Sequence, residues 1–190
     1  MLSKVFWFIG TFFLRIRIKK IGRLSYVGRP LLILGGRRIC IGNKVRIFPG
    51  SRMETHRGGE IIMENNISIG QNLHLISSNE PLIIGADTTI SGNVFITNID
   101  HDYQQIGMHI LNQPYIIKTT RIGENCFIGY GAAIQAGTIL GKHCIVGANA
   151  VVKGIFPDFC VIAGIPAKIL KRYNPDTGQW EKTNASGDFN

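Results

Sequence analysis

Five histidines occur in this 190-residue chain, and His101 is the one whose setting suggests chemistry. It stands in NIDHDY, between Asp100 and Asp102. Histidine is the side chain that titrates near neutrality, so its ring can take a proton from an attacking hydroxyl or amine and return it later. A neighbouring carboxylate would orient the ring and favour its protonated form. Successive strand residues face opposite sides, so at most one of the two aspartates fills that role. A lone histidine is more often an ordinary surface or core residue, and the case for His101 rests on its place at a break in the chain's repeat. His56, His109 and His143 read as ordinary, although His109 lies where it could reach a neighbouring subunit.

Other catalytic signatures are missing. The sequence holds no GxxxxGK[ST] phosphate loop, dinucleotide fingerprint, GxSxG elbow or zinc-type spacing. Cys40, Cys126, Cys144 and Cys160 form no CxxC pair, so neither a metal site nor a disulfide framework is expected, and a reducing compartment is the simpler setting.

The element that must hold His101 is a repeat. Aliphatic residues recur every six positions at Ile84, Ile90 and Ile96, and again from Ile122 through Ile128, Ile134, Leu140 and Val146 to Val152. Ile41–Ile47 and Ile69–Leu75 are shorter examples. Glycine often follows the aliphatic (Gly42, Gly70, Gly85, Gly123, Gly129, Gly141, Gly147), and a small or β-branched residue often stands four places after it (Val45, Ser51, Thr88, Val94, Cys126, Ala132, Thr138, Cys144, Ala150). A period of six suits one flat side of a three-sided coil. The aliphatic points inward, glycine takes a turn conformation costly for other residues, and the small residue fits a corner. Three sides make a coil of about 18 residues, with coils about 4.8 Å apart. Cys126 and Cys144 then share an inward column as packing residues. An amphipathic helix would show spacings of three and four, and a sandwich would alternate with period two.

From Ile96 to Ile122 is 26 residues. Against a full coil of 18, about eight residues should bulge out, and His101 sits at the mouth of that loop, where function often concentrates. Asn72, His74 and Asn79 lie one coil earlier and are candidates to face a substrate. The stretch Met53–Glu64 lacks clear register and reads as drift or a shortened coil.

The ends differ from the middle. Residues 1–57 carry 13 of the 21 basic residues beside one acid, Glu54; the remainder carries 8 basic and 11 acidic groups. The front is therefore about +12 and the rest about −3, which points to an anionic surface or a phosphorylated substrate near the N-terminus. Nucleic acid is the weakest partner, since no RNA- or DNA-binding motif accompanies the charge. The run VFWFIGTFFL (5–14), followed by RIRIKK, is too short to span a bilayer. It reads as a helix packed on the body or a neighbouring subunit, or as an interfacial anchor with Arg15, Arg17, Lys19 and Lys20 at lipid headgroups. The polar tail NPDTGQWEKTNASGDFN is expected to extend from the body. The organisation expected is an N-terminal aromatic and basic segment (1–22), a repeat domain (23–173) and a tail (174–190).

The repeat, GNVFITNIDHDY before the loop and VGANAVVKGIFPDFCVIAGIPAKILKRY after it, in that order, resemble the hexapeptide-repeat acyltransferases. The resemblance spans roughly residues 35–173 and is strongest to galactoside, maltose and nodulation-type O-acetyltransferases and to those of bacterial surface-polysaccharide synthesis. It implies an all-β, left-handed parallel β-helix with an extruded loop, assembled as a homotrimer with active sites between subunits. It also implies acetyl-CoA as donor and His101 as catalytic base, with direct transfer to a sugar or oligosaccharide. By the same resemblance Ala148 and Lys153 lie along the pantetheine arm, Tyr130 lies near the acetyl end, and Lys168 and Lys171 face nucleotide phosphates. Many relatives have arginine at these last two positions, so here phosphate binding leans on Arg172 as well.

The expected function is O-acetylation of a sugar hydroxyl, in the cytoplasm or at the inner face of its membrane, on an acceptor that the basic front segment suggests is lipid-linked. N-acetylation of an amino sugar is the first alternative, because an amine also needs deprotonation. A carbonic-anhydrase-like metal enzyme is another; it would need His101, His109 and His143 to converge across a subunit interface. No metal is expected.

Overall fold

Each repeat aliphatic falls in a short strand and is buried, and the chain turns after it. The computed structural model describes residues 2–189. Three sheets form the faces of a prism: seven parallel strands on the first face, seven parallel strands on the second, extended by two antiparallel C-terminal strands, and six parallel strands on the third. Residues six apart lie on successive faces, and equivalent residues of successive coils pair. Ile84 pairs with Ile122 and Ile122 with Leu140 on the first face. Ile90, Ile128 and Val146 align on the second, and Ile96, Ile134 and Val152 on the third. All nine are at most 1% exposed, so the core is a single continuous aliphatic stack. The chain is thus a parallel β-solenoid.

Cys126 and Cys144 share an inward corner column, and Cys160 continues it. Their thiols are buried, and those of Cys126 and Cys144 each donate to a carbonyl of the next coil, Gly141 and Pro157, at 3.2 Å. Hydrogen bonding to Cys126, with burial, pushes the Cys144 thiol up to about 12. These are packing thiols.

The glycines have a different cause from the one expected. Gly42, Gly70, Gly85, Gly123, Gly129, Gly141 and Gly147 do not adopt positive φ. They face the adjacent coil at close range: a Cβ on Gly123 would lie 2.5 Å from the Gly141 carbonyl oxygen. The left-handed corner comes two residues later, at Lys44, Asn72, Asp87, Asn125, Gly131, His143 and Asn149, and likewise at Asn66 and Asn93 where Glu64 and Ser91 replace the glycine (φ 53–70°). Asparagine tolerates that conformation better than most residues.

The irregularities fall along one edge. From the first face to the second, and from the second to the third, paired aliphatics are six residues apart, as in Ile41–Ile47–Met53 and Ile84–Ile90–Ile96. From the third face back to the first the gap is eight residues at Ile33–Ile41, ten at Met53–Met63, nine at Leu75–Ile84 and 26 at Ile96–Ile122, returning to six at Ile134–Leu140. Two expectations are corrected. Ile96 and Ile122 lie one side apart, not one coil apart, so about 20 residues leave the prism rather than eight. The coil through Met53–Glu64 is lengthened, not shortened, because strand Arg52–His56 runs on past its aliphatic before Glu60–Met63 begins.

Helix α1 (Leu2–Leu14) precedes the first solenoid strand, Lys20–Ile21. One side of it packs on the first coils. Trp7 meets Tyr26 and Phe48 with ring centroids 5.8 and 5.5 Å apart, and buried Thr11 accepts a hydrogen bond from the Val27 N–H at 2.8 Å. Among the described residues no helix is long and apolar enough to cross a membrane. At the other end the chain reverses. Cys160–Gly164 pairs antiparallel with Ala167–Asn174, which pairs with Gln179–Lys182. The tail therefore does not extend from the body: it adds a strand, and Gly187 returns to accept a hydrogen bond from Arg172 at 3.1 Å.

Candidate functional site

The site is built on the third face and the edge that follows it. In-register residues make outward columns there. Arg52, His74, Phe95, Ala133 and Val151 form one, and Glu54, Ile76 and Thr97 form the next. At the edge the 20 excess residues leave as an arm. Its base is an antiparallel pair, Ile99–His101 with Tyr115–Ile117, in which His101 is opposite Tyr115. Buried Gln113 ties the tip, its side chain bonding to the Gln105 N–H and to the carbonyls of Gln105 and Met108 at 3.1–3.2 Å.

His101 is exposed and meets the Tyr115 ring edge-on at 4.9 Å. Two cavities flank it and share Phe95, Thr97, Ile99 and His101 as a common wall. One, of about 300 Å³, reaches Arg52, Glu54, His56 and Tyr115. The other, of about 230 Å³, reaches Asp100, Gln135 and Ala136 toward the C-terminal coils. Neither flanking aspartate bonds the imidazole. Asp100 accepts the His101 backbone N–H at 3.1 Å and pairs with Lys153 at 3.4 Å, while Asp102 accepts the Gln104 N–H at 3.1 Å.

Sequence reasoning missed Glu54, which is 6% exposed at the floor of the larger cavity. It accepts from Arg52 Nε and lies 3.3 Å from Nε2 of both His56 and His74. His74 also packs on Phe95 at 5.2 Å, and the Arg57 guanidinium covers Tyr115 at 4.7 Å. The available signal was that Glu54 is the one acid among 13 basic residues. Burial raises its pKa, but hydrogen bonds and charge from Arg52, His74 and His56 outweigh burial and hold it below the ordinary 4.5. A depressed carboxylate pKa contributes stability that is present above about pH 4.5 and lost as pH falls through the lowered value. Wild type should therefore lose more denaturant stability than Glu54→Gln between pH 6 and pH 3. Equal losses would show that the network adds nothing to folding.

The other expected residues divide between two edges. Asn79 has positive φ beside the His56 turn, its N–H 3.4 Å from the His56 carbonyl, and so lies on the edge carrying His101. Lys153 joins it there through Asp100. Asn72 lies across the third face, where its amide donates to Asn93 at 2.9 Å and Asn93 donates to the Tyr130 hydroxyl. Ala148 stands one coil above Tyr130, because Val146 pairs with Ile128. Lys168 pairs with Ala163, which packs on Gly147, so it belongs to that same edge. Lys171 pairs with Val161 and Lys182. Arg172 is half-buried; it donates to the Gly187 carbonyl, and its guanidinium lies 5.8 Å from the centre of the Phe189 ring. His109 caps the short helix Ile110–Asn112, and His143 bonds Asn125 at 2.9 Å on the remaining edge. His101, His109 and His143 thus do not meet within one chain, and among the described residues no group of three His, Cys, Asp or Glu side chains is arranged to hold a metal ion.

A parallel solenoid of six-residue sides defines a hexapeptide-repeat protein. The bacterial transferase hexapeptide model (six repeats) matches residues 119–154. WbbJ of Escherichia coli K12, whose name makes it a putative lipopolysaccharide biosynthesis O-acetyl transferase, is 36% identical over 160 residues, covering 80% of this chain and 81% of WbbJ. The chain belongs to that family, the bacterial hexapeptide-repeat acyltransferases. Two solved structures share the fold. AntD, an N-acyltransferase from Bacillus cereus in complex with dTDP and 3-hydroxybutyryl-CoA, superposes with a TM-score of 0.72 at 15% identity, covering 88% of this chain and 90% of AntD. Galactoside acetyltransferase in complex with coenzyme A gives 0.61 at 20% identity, covering 90% and 73%.

Proposed function

We propose that this protein transfers an acetyl group from acetyl-CoA to a sugar hydroxyl in bacterial surface-polysaccharide synthesis, with His101 as general base. The observation that carries the reading is His101 on the wall between two cavities, where it can touch an acceptor on one side and a donor on the other. As the hydroxyl oxygen attacks the thioester carbonyl, His101 takes its proton. When the C–S bond breaks, His101 returns that proton to the leaving sulfur, and no acyl-enzyme is required. The cavity toward Gln135 and Ala136 receives the thioester. Tyr130 and Ala148 offer a shallow edge for the pantetheine arm, and Lys168 and Lys171 supply charge for the phosphates. Arg172 is engaged by the tail, which leaves the two lysines the larger share. The WbbJ likeness supports a polysaccharide acceptor.

The working assembly in this reading is a homotrimer. The arm tip supports it: Tyr103, Ile106 and Leu111 are 71%, 97% and 70% exposed in the single chain, which is costly in water and suited to covering a neighbour's cavity. The lipid-linked acceptor and the inner membrane face draw support from the cationic front segment. N-acetylation of an amino sugar is the second reading, favoured by the AntD likeness.

An acetyl-transfer screen over nucleotide sugars, lipid-linked sugars and free oligosaccharides, read by thiol release and product mass, tests the proposal. An acetylated saccharide that loses its acetyl group in mild alkali is the expected product. An alkali-stable product would establish amide formation, and absence of transfer to any saccharide would remove the sugar assignment.

A further inference from the structure

Helix α1 has two apolar sides, and the prism uses one. Trp7, Thr11 and Leu14 face the first coil. Opposite them Val5, Ile9, Phe12, Phe13 and Ile16 are 55–70% exposed, and Phe6 is 63% exposed. The spacing 5, 9, 12, 13, 16 keeps these residues on one face of a helix and its last turn. No charged residue from Val5 to Leu14 interrupts that face. A monomer gains nothing by holding such a band in water, and the chain that follows it is rich in cations. Of the lysines and arginines from Arg15 to Arg57, only Lys19 and Arg52 pair with a carboxylate among the described residues, while Lys20, Arg23, Arg37 and Arg38 are exposed.

We infer that this face of α1 is a docking surface for anionic phospholipid, with its aromatic residues in the upper acyl region and the surrounding cations at the phosphates. Apolar burial and headgroup attraction act together in such a surface, and neither alone anchors firmly. Charge complementarity selects lipid over a second copy of the chain, whose own N-terminal region would present the same positive charge. The inference deepens the lipid-linked acceptor reading but does not need the enzyme to be active. No residue of α1, Phe12 and Phe13 included, lines either cavity beside His101. The docking face can therefore be altered without touching the site.

The test is flotation of the full chain with vesicles of phosphatidylcholine alone or with about 30% phosphatidylglycerol, together with solution mass and turnover of a soluble acceptor. Binding is expected on the anionic vesicles only, weakened by about 0.5 M salt, and reduced at least about tenfold in the double variant Phe12→Glu, Phe13→Glu, with solution mass and soluble turnover unchanged. Equal flotation of variant and wild type, equal binding to both vesicle types, or a fall in solution mass that marks the face as a contact between copies would overturn the inference. Absence of soluble turnover in wild type would count against the acetyl-transfer reading alone.

Discussion

Replacing His101 by alanine should lower kcat for acetyl transfer by about 10²–10⁴-fold, the range over which a positioned general base contributes. The fold should barely register the change. His101 is exposed, lies on the arm rather than in the aliphatic stack, and makes one close ring contact, with Tyr115. A stability change within about 1 kcal/mol is expected from losing that contact. The KM for acetyl-CoA should change little, because most of the residues assigned to the donor, Tyr130, Ala148, Lys168 and Lys171, lie on the opposite edge or along the C-terminal strands, and the cavity that receives the thioester keeps its other walls. Asp100→Asn is the informative companion. Asp100 touches the His101 backbone and Lys153 rather than the imidazole, so its replacement should cost far less than loss of the ring. If His101→Ala kept activity within a few-fold of wild type, the base would have to be sought at His56 or His74. Both already have what His101 lacks in the single chain, a carboxylate 3.3 Å from a ring nitrogen.

The repeat made the solenoid legible because an inward side chain must recur on every side, and the run from Ile122 to Val152 does so without interruption. It made the position of His101 legible for the same reason, since an extruded arm must break that run. The length of the arm was lost because a period of six counts sides and says nothing of which side comes next. Glu54 was hidden for a related reason. Its coil sets Met53 and Met63 ten residues apart, so the phase that would have put it on the outward column beside Thr97 was broken. The tail strand Gln179–Lys182 carries no hexapeptide signal, being held by antiparallel pairing outside the repeat. Resemblance supplied Tyr130, Ala148, Lys153, Lys168 and Lys171 as a group; the geometry brings Tyr130, Ala148 and Lys168 to one edge and Lys153 to the edge carrying His101, while Asn72, at the corner before the third face, bonds Asn93, and His74, at the start of that face's strand, reaches on to Glu54.

The glycine after each aliphatic offers the largest structural effect from the smallest change. Gly123→Ala places a methyl group 2.5 Å from the Gly141 carbonyl oxygen, 2.6 Å from its carbon and 2.8 Å from the Lys142 nitrogen. All three are backbone atoms of the adjacent coil, held by the pairs Arg121–Ile139 and Ile122–Leu140, so no side chain can swing aside. The coils must separate locally, which lengthens ladder hydrogen bonds and opens the aliphatic stack. Overpacking of this kind costs about 3 kcal/mol. Gly58→Ala separates crowding from conformation, because Gly58 has φ +88° and nothing within 4 Å of an added Cβ. That change should cost about 1–2 kcal/mol, the penalty of a left-handed backbone alone. Thermal unfolding should rank the two variants in that order, with Gly123→Ala melting about 6–12 °C below wild type. The reverse ranking would mean that the repeat's glycines are kept for their turns after all, and that coil contact at the first-to-second edge is looser than the backbone positions require.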